Sequence, residues 1–172
     1  MLDILFAILA MGAQSIGAEN APAASDPTTA TGAVVAEEIP FTPAAGLVAE
    51  PQMPTGKFTT AVEVRPILTA TRNSWVAVRE FNGQDLVYVT QLWSWRCGLV
   101  SMSIGLNDEP LQNWPLPPCH EDTAVPNAIL EADGLPYLTL KLGSVQRVVI
   151  EVTYDDLTTD RGEYLRADVL MP

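Results

Sequence analysis

The chain has 172 residues, 48% of them hydrophobic, and a formal net charge of −12. That length suits one domain. The charge excludes nucleic-acid binding and electrostatic attachment to anionic lipid, which need Lys and Arg clusters absent here, and it favours solubility and a basic or cation-bearing partner.

The first segment reads as a signal peptide over residues 1–18. Ile4 to Ala13 is an apolar run of signal-core length, Ile16-Gly17-Ala18 offers a cleavage site after Ala18, and Ala21-Pro22-Ala23 is a second candidate. The run is shorter than the roughly 20 apolar residues that cross a bilayer. Met1-Leu2-Asp3 departs from the pattern by carrying an acid and no Lys or Arg. The expectation is a periplasmic or secreted protein with no stable membrane span after signal cleavage. Residues 19–56 read as a disordered N-terminal tail or linker, dominated by Ala, Pro, Thr, Gly and Glu, without the apolar periodicity that builds a core.

A domain is expected over residues 57–172. Thr60-Ala61-Val62-Glu63 fits a capping box, but Pro66 interrupts, so the reading is one short helix from Pro66 to about Arg72. Trp75 to Phe81 and Leu86 to Trp93 flank Asn82-Gly83, a strong hairpin signal. Leu99 to Leu106 alternates, with Val100, Met102, Ile104 and Leu106 on one face. Gln112 to Gly134 is irregular, with one helical turn at Asn127 to Ala132, because Trp114-Pro115-Leu116-Pro117-Pro118 is incompatible with a central strand. Leu138, Leu140 and Leu142 then alternate inward before a two-residue turn at Gly143-Ser144. Val148, Ile150, Val152 and Tyr154 form the next apolar face, and Leu165, Ala167 and Val169 the last. Six short strands without a long helix predict an all-β, antiparallel fold, a single small β-sandwich that resembles immunoglobulin or fibronectin type III domains in architecture only.

The chemically unusual residues gather between Trp93 and Cys119. Cys97 and Cys119 are the two cysteines. Two thiols do not make a four-ligand zinc site, and in an exported chain they form a disulfide, stabilising the fold by roughly 3 kcal/mol through loop entropy. Trp93 and Trp95, two apart on an extended strand, would share a face. With Trp114 and Arg96 they make a candidate platform for a protein partner or a sugar ring, set against the plainer reading that at least one or two of these rings fill the core, since a domain with few Phe residues needs large core side chains from somewhere.

The single histidine, His120, sits in Cys119-His120-Glu121-Asp122. His120 with Asp122 is a weak candidate for metal-dependent hydrolysis, set against the plainer reading of a solvated acidic loop. Asp155, Asp156 and Asp160 form a second acidic loop that could hold Ca²⁺ but does not follow the EF-hand spacing, and Asp and Thr are ordinary turn residues. No GxSxG elbow, HExxH helix, phosphate loop or dinucleotide fingerprint is present, so no cofactor is expected. The function expected is that of a non-catalytic interaction module or accessory subunit in the cell envelope, with an envelope protein or glycan as partner. The alternatives are a carbohydrate-binding module using Trp93, Trp95 and Trp114, and a hydrolase around His120.

Overall fold

The structure, a computed structural model, describes residues 46–172. The expected signal peptide over residues 1–18 and most of the expected linker over residues 19–56 lie outside the described residues. The fold is all-β with short helices. Helix α1 spans Ala61–Ala70, α2 spans Thr90–Trp93 and α3 spans Arg166–Val169. The strands are β1 (Ala77–Phe81), β2 (Gln84–Tyr88), β3 (Leu99–Leu106), β4 (Gln112–Asn113), β5 (Tyr137–Lys141), β6 (Arg147–Tyr154) and β7 (Thr159–Leu165). They form two antiparallel sheets, ordered β1-β2-β5 and β4-β3-β6-β7. Both sheets and α1 feed one core, in which Val64, Leu68, Val78, Val87, Met102, Ile150 and Val152 are fully buried.

Helix α1 runs straight through Pro66, where the sequence places a helix start. Proline removes one bond, to the carbonyl of Val62, but Ala61, Val64 and Leu68 make a buried stripe that outweighs it. The free amides of the first turn are met from outside the helix. Ala61 N–H donates to Asp155 Oδ1 at 2.9 Å and Val62 N–H to Gln52 Oε1 at 3.0 Å. Glu63 accepts from the N–H groups of Thr55, Gly56 and Thr59 and from the Thr60 hydroxyl, which winds residues 55–60 around one carboxylate. Residues 50–56 therefore hydrogen-bond to the domain, although their composition reads as linker. Glu50 N–H also reaches the Asp155 carbonyl at 2.9 Å.

The β1–β2 hairpin turns at Asn82 and Gly83, with φ of 51° and 75°, as the Asn-Gly signal predicts. The second strand is shorter than expected. It ends at Tyr88, and Thr90–Trp93 is a helical turn. Val89, Leu92 and Trp93 are all buried, a spacing of i, i+3, i+4 that belongs to a helix. Trp75 precedes β1 and closes a 3-10 turn, its indole N–H bonded to the Leu68 carbonyl at 2.9 Å.

Three further expectations are corrected. The helical turn of the irregular segment lies at Glu131–Asp133. Gly143-Ser144 is no hairpin, because β5 and β6 belong to different sheets. The turn spans Lys141 to Ser144, closed by Ser144 N–H to the Lys141 carbonyl, with Gly143 at φ 71°, and Leu142 is exposed. In β7 the inward residues are Gly162 and Tyr164, while Leu165 faces out and Val169 reaches the core from α3. The strand ends at Leu165, and Arg166, the first residue of α3, forms a two-pronged pair with the fully buried Asp85, at 2.8 and 2.9 Å. Among the described residues no helix is long and apolar enough to cross a membrane.

Candidate binding cleft beside the disulfide

Cys97 and Cys119 are joined, with an S–S distance of 2.12 Å across 22 positions. The bridge lies beside Arg96, whose side chain is nearly completely buried. Arg96 Nε donates to the carbonyls of Pro117 and Pro118, at 3.2 and 3.0 Å. Nη1 donates to the carbonyls of Trp93 and Asn127, at 3.1 and 2.9 Å. Nη2 donates to the Ala128 carbonyl at 3.0 Å and to Asp133 Oδ2 at 3.2 Å. One guanidinium thus supplies the hydrogen bonds that the proline-rich segment, lacking ladder partners, cannot make within itself. Burial lowers the Arg96 pKa, opposed by the Asp133 charge. Asp133 is held below the usual carboxylate range, first by the Leu130 N–H at 2.8 Å and, against the cost of burial, by His120 and Arg96.

The predicted residues are placed as follows. Trp93 and Trp114 are core residues, 4% and 8% exposed, so neither offers a ring face to a ligand. Trp114 N–H bonds the Met102 carbonyl and anchors the loop to β3. Arg96 is a structural hub. Trp95 is the one predicted ring at the surface. It is half-buried and packed edge-on against Phe58, with centroids 5.3 Å apart and planes at 73°.

His120 Nε2 lies 3.0 Å from both Asp133 oxygens, and Asp122 is exposed on the neighbouring turn. No hydroxyl or thiol among the described residues bonds the other ring nitrogen. Asp155 caps α1, Asp156 pairs with Arg65, and Asp160 accepts from Arg72 at 2.6 Å and from the Tyr154 hydroxyl at 2.9 Å. These carboxylates are committed to separate partners, and among the described residues no three His, Cys, Asp or Glu side chains are grouped to hold a metal ion.

Around Trp95 lies an open cleft of about 370 Å³. Three segments line it: Gly56 to Phe58, Ser94 with Trp95, and Ala124 to Ala128. Asn127 ties these segments together. Its Oδ1 accepts from Cys97 N–H at 3.0 Å, and its Nδ2 donates to the Phe58 carbonyl at 2.7 Å. Phe58 itself has φ of 58°, uncommon for an aromatic residue, and is 41% exposed, while Val125 is 61% exposed. Two exposed apolar side chains thus flank a half-buried indole. The disulfide, Arg96 and Asn127 hold the surrounding backbone.

Sequence reading finds Trp95 and misses Phe58, Val125 and Asn127. They sit in segments that read as linker end and acidic loop, and contacts between distant segments, those of Asn127 and Arg96 and the Phe58–Trp95 packing, unite them. Comparison with protein-family models, with curated proteins and with solved structures finds no match for this chain.

Proposed function

We propose that this domain is a non-catalytic interaction module that works outside the cytoplasm and binds an envelope protein through the Trp95 cleft. The carrying observation is the pre-ordered apolar cleft, with Phe58 and Val125 exposed on either side of Trp95. An aromatic ring set in a rigid frame loses little entropy when a partner binds. The Cys97–Cys119 bridge supports an oxidising compartment. A protein partner is favoured over a glycan at this cleft, because two of the three tryptophans a sugar platform would need are in the core. The sheet orders, with the chain changing sheets after β2, β4 and β5, support an immunoglobulin- or fibronectin-like sandwich as the scaffold.

Site-specific photo-crosslinking in the native envelope tests the reading. A crosslinker at Val125 should capture a discrete protein, and Trp95→Ala should abolish the capture. A crosslinker at Leu142, exposed on a different turn, should not capture it. Equal capture from both positions, or capture indifferent to Trp95→Ala, would remove the cleft from the function.

A further inference from the structure

The outer face of the three-stranded sheet differs in charge from the rest of the molecule. Val78 and Val87 point to the core, so the alternate residues point away from it. Register places Phe81 opposite Gln84 and Lys141, and Tyr88 opposite Tyr137. Arg79 stands between these two rows. The nine positions of this face in β1, β2 and β5 include three aromatic rings, Arg79 and Lys141, but no Asp or Glu. The neighbouring carboxylates Glu80 and Asp85 belong to the opposite face, where both pair with Arg166.

Neither Arg79 nor Lys141 has a carboxylate partner among the described residues. Arg79 stacks on Phe81 at 5.1 Å from the ring centroid, and the Tyr88 and Tyr137 rings lie 5.0 Å apart. Phe81 is 55% exposed. A second cleft, of about 310 Å³, opens onto this face between Arg79 and Tyr88, with Gln91 on its wall. In a chain of net charge −12, two unpaired cations set among rings on a carboxylate-free face mark a surface for a negatively charged ligand.

We propose that this face binds an acidic polysaccharide carrying carboxylate groups. The rings present flat apolar surface to the C–H faces of pyranose units, and Gln84 can bond hydroxyls. Arg79 takes one carboxylate in its planar fork and Lys141 takes another as a point charge. Arg79 and Lys141 lie two strands and two residues apart, about 12 Å from strand spacing and rise, a span of more than one sugar unit. A nucleic acid is disfavoured because two cations neutralise too few phosphates against the charge of the whole chain. This site is separate from the Trp95 cleft, and the proposal stands without it.

The test is titration calorimetry of the full mature chain with oligogalacturonate. A neutral cello-oligosaccharide, a polyglutamate peptide and a single-stranded oligodeoxynucleotide serve as comparisons. Saturable binding of oligogalacturonate, stronger than of the other three and weakening with added salt, is the expected result. Arg79→Gln and Lys141→Gln should each reduce affinity about tenfold, the loss of one charge-assisted contact. Phe81→Ser, at an exposed position, should also weaken binding. Trp95→Ala and Arg161→Gln, an exposed cation on β7, should leave it unchanged. No saturable oligogalacturonate binding, equal or stronger binding of any comparison ligand, or insensitivity to Arg79→Gln and Lys141→Gln would overturn the proposal.

Discussion

Replacing Arg96 by Met tests whether one buried guanidinium holds the loop that frames the Trp95 cleft. The substitution keeps much of the apolar volume and removes all the donors. Asp133 is then left buried with the Leu130 N–H and His120, and five carbonyls at positions 93, 117, 118, 127 and 128 lose their donor. Breaking a buried ion pair from one side costs about 3–5 kcal/mol. Some of the carbonyls can recover water at the loop surface, so the whole loss should stay near that range rather than add a full penalty for each. It is a large fraction of the 5–15 kcal/mol total stability of ordinary domains.

Urea unfolding of the oxidised protein, followed by tryptophan fluorescence, measures it. Arg96→Lys should keep the charge but lose about half the stability difference, because three donors on one atom cannot reach carbonyls spread over three backbone segments. Adding Asp133→Leu to Arg96→Met should recover only part of the loss, since the carbonyls stay without donors. A cost below about 1 kcal/mol for Arg96→Met, or a Lys variant as stable as the parent, would refute the hub.

Three further outcomes are expected. Replacing both Cys97 and Cys119 by Ala should cost roughly 3 kcal/mol, and two alkylatable thiols in freshly isolated unreduced protein would contradict the bridge. Gly98→Ala should destabilise the fold by about 1–3 kcal/mol in thermal or urea unfolding, because its Cβ would meet Val64 Cγ2 at 2.4 Å and the Thr60 backbone at 3.0 Å; an unchanged midpoint would show that α1 can move aside. Arg166 leads in lowering the Asp85 carboxyl from 3.8 to about 2. A depressed carboxylate pKa stabilises the fold above the unfolded value, so about 2 kcal/mol should be present above pH 4 and lost as pH falls towards 2. Urea midpoints across that interval should drop less steeply for Asp85→Asn than for the parent.

Local sequence chemistry alone specifies the all-β class, the Asn82-Gly83 hairpin, most of the apolar face of β3, and the disulfide. Each rests on local chemistry. Positive φ at Asn-Gly selects the turn, alternation selects the strand, and two cysteines allow one pairing. Local chemistry misled where tertiary packing outweighed it. Pro66 sits inside α1 because the buried stripe of Ala61, Val64 and Leu68 compensates for one missing bond. Trp93, for which the sequence leaves core and surface both open, is in the core because Val89, Leu92 and Trp93 share a helical spacing where an extended strand is expected, a distinction that a few mixed residues cannot encode.

The candidate site shows the same division. Trp95 is visible in the sequence as one aromatic in a dense cluster, but its cleft is made by residues 56–58 and 124–128, brought together by Asn127. Asp155, which reads as a turn or calcium residue, caps a helix 94 positions away. The carboxylate-free outer sheet face appears only once register places Arg79, Phe81, Tyr88, Tyr137 and Lys141 side by side. Contacts between distant segments follow from which sheet each strand joins, and the crossing from β5 to β6 between sheets, which a hairpin reading misses, is decided by the shared core and not by the turn residues.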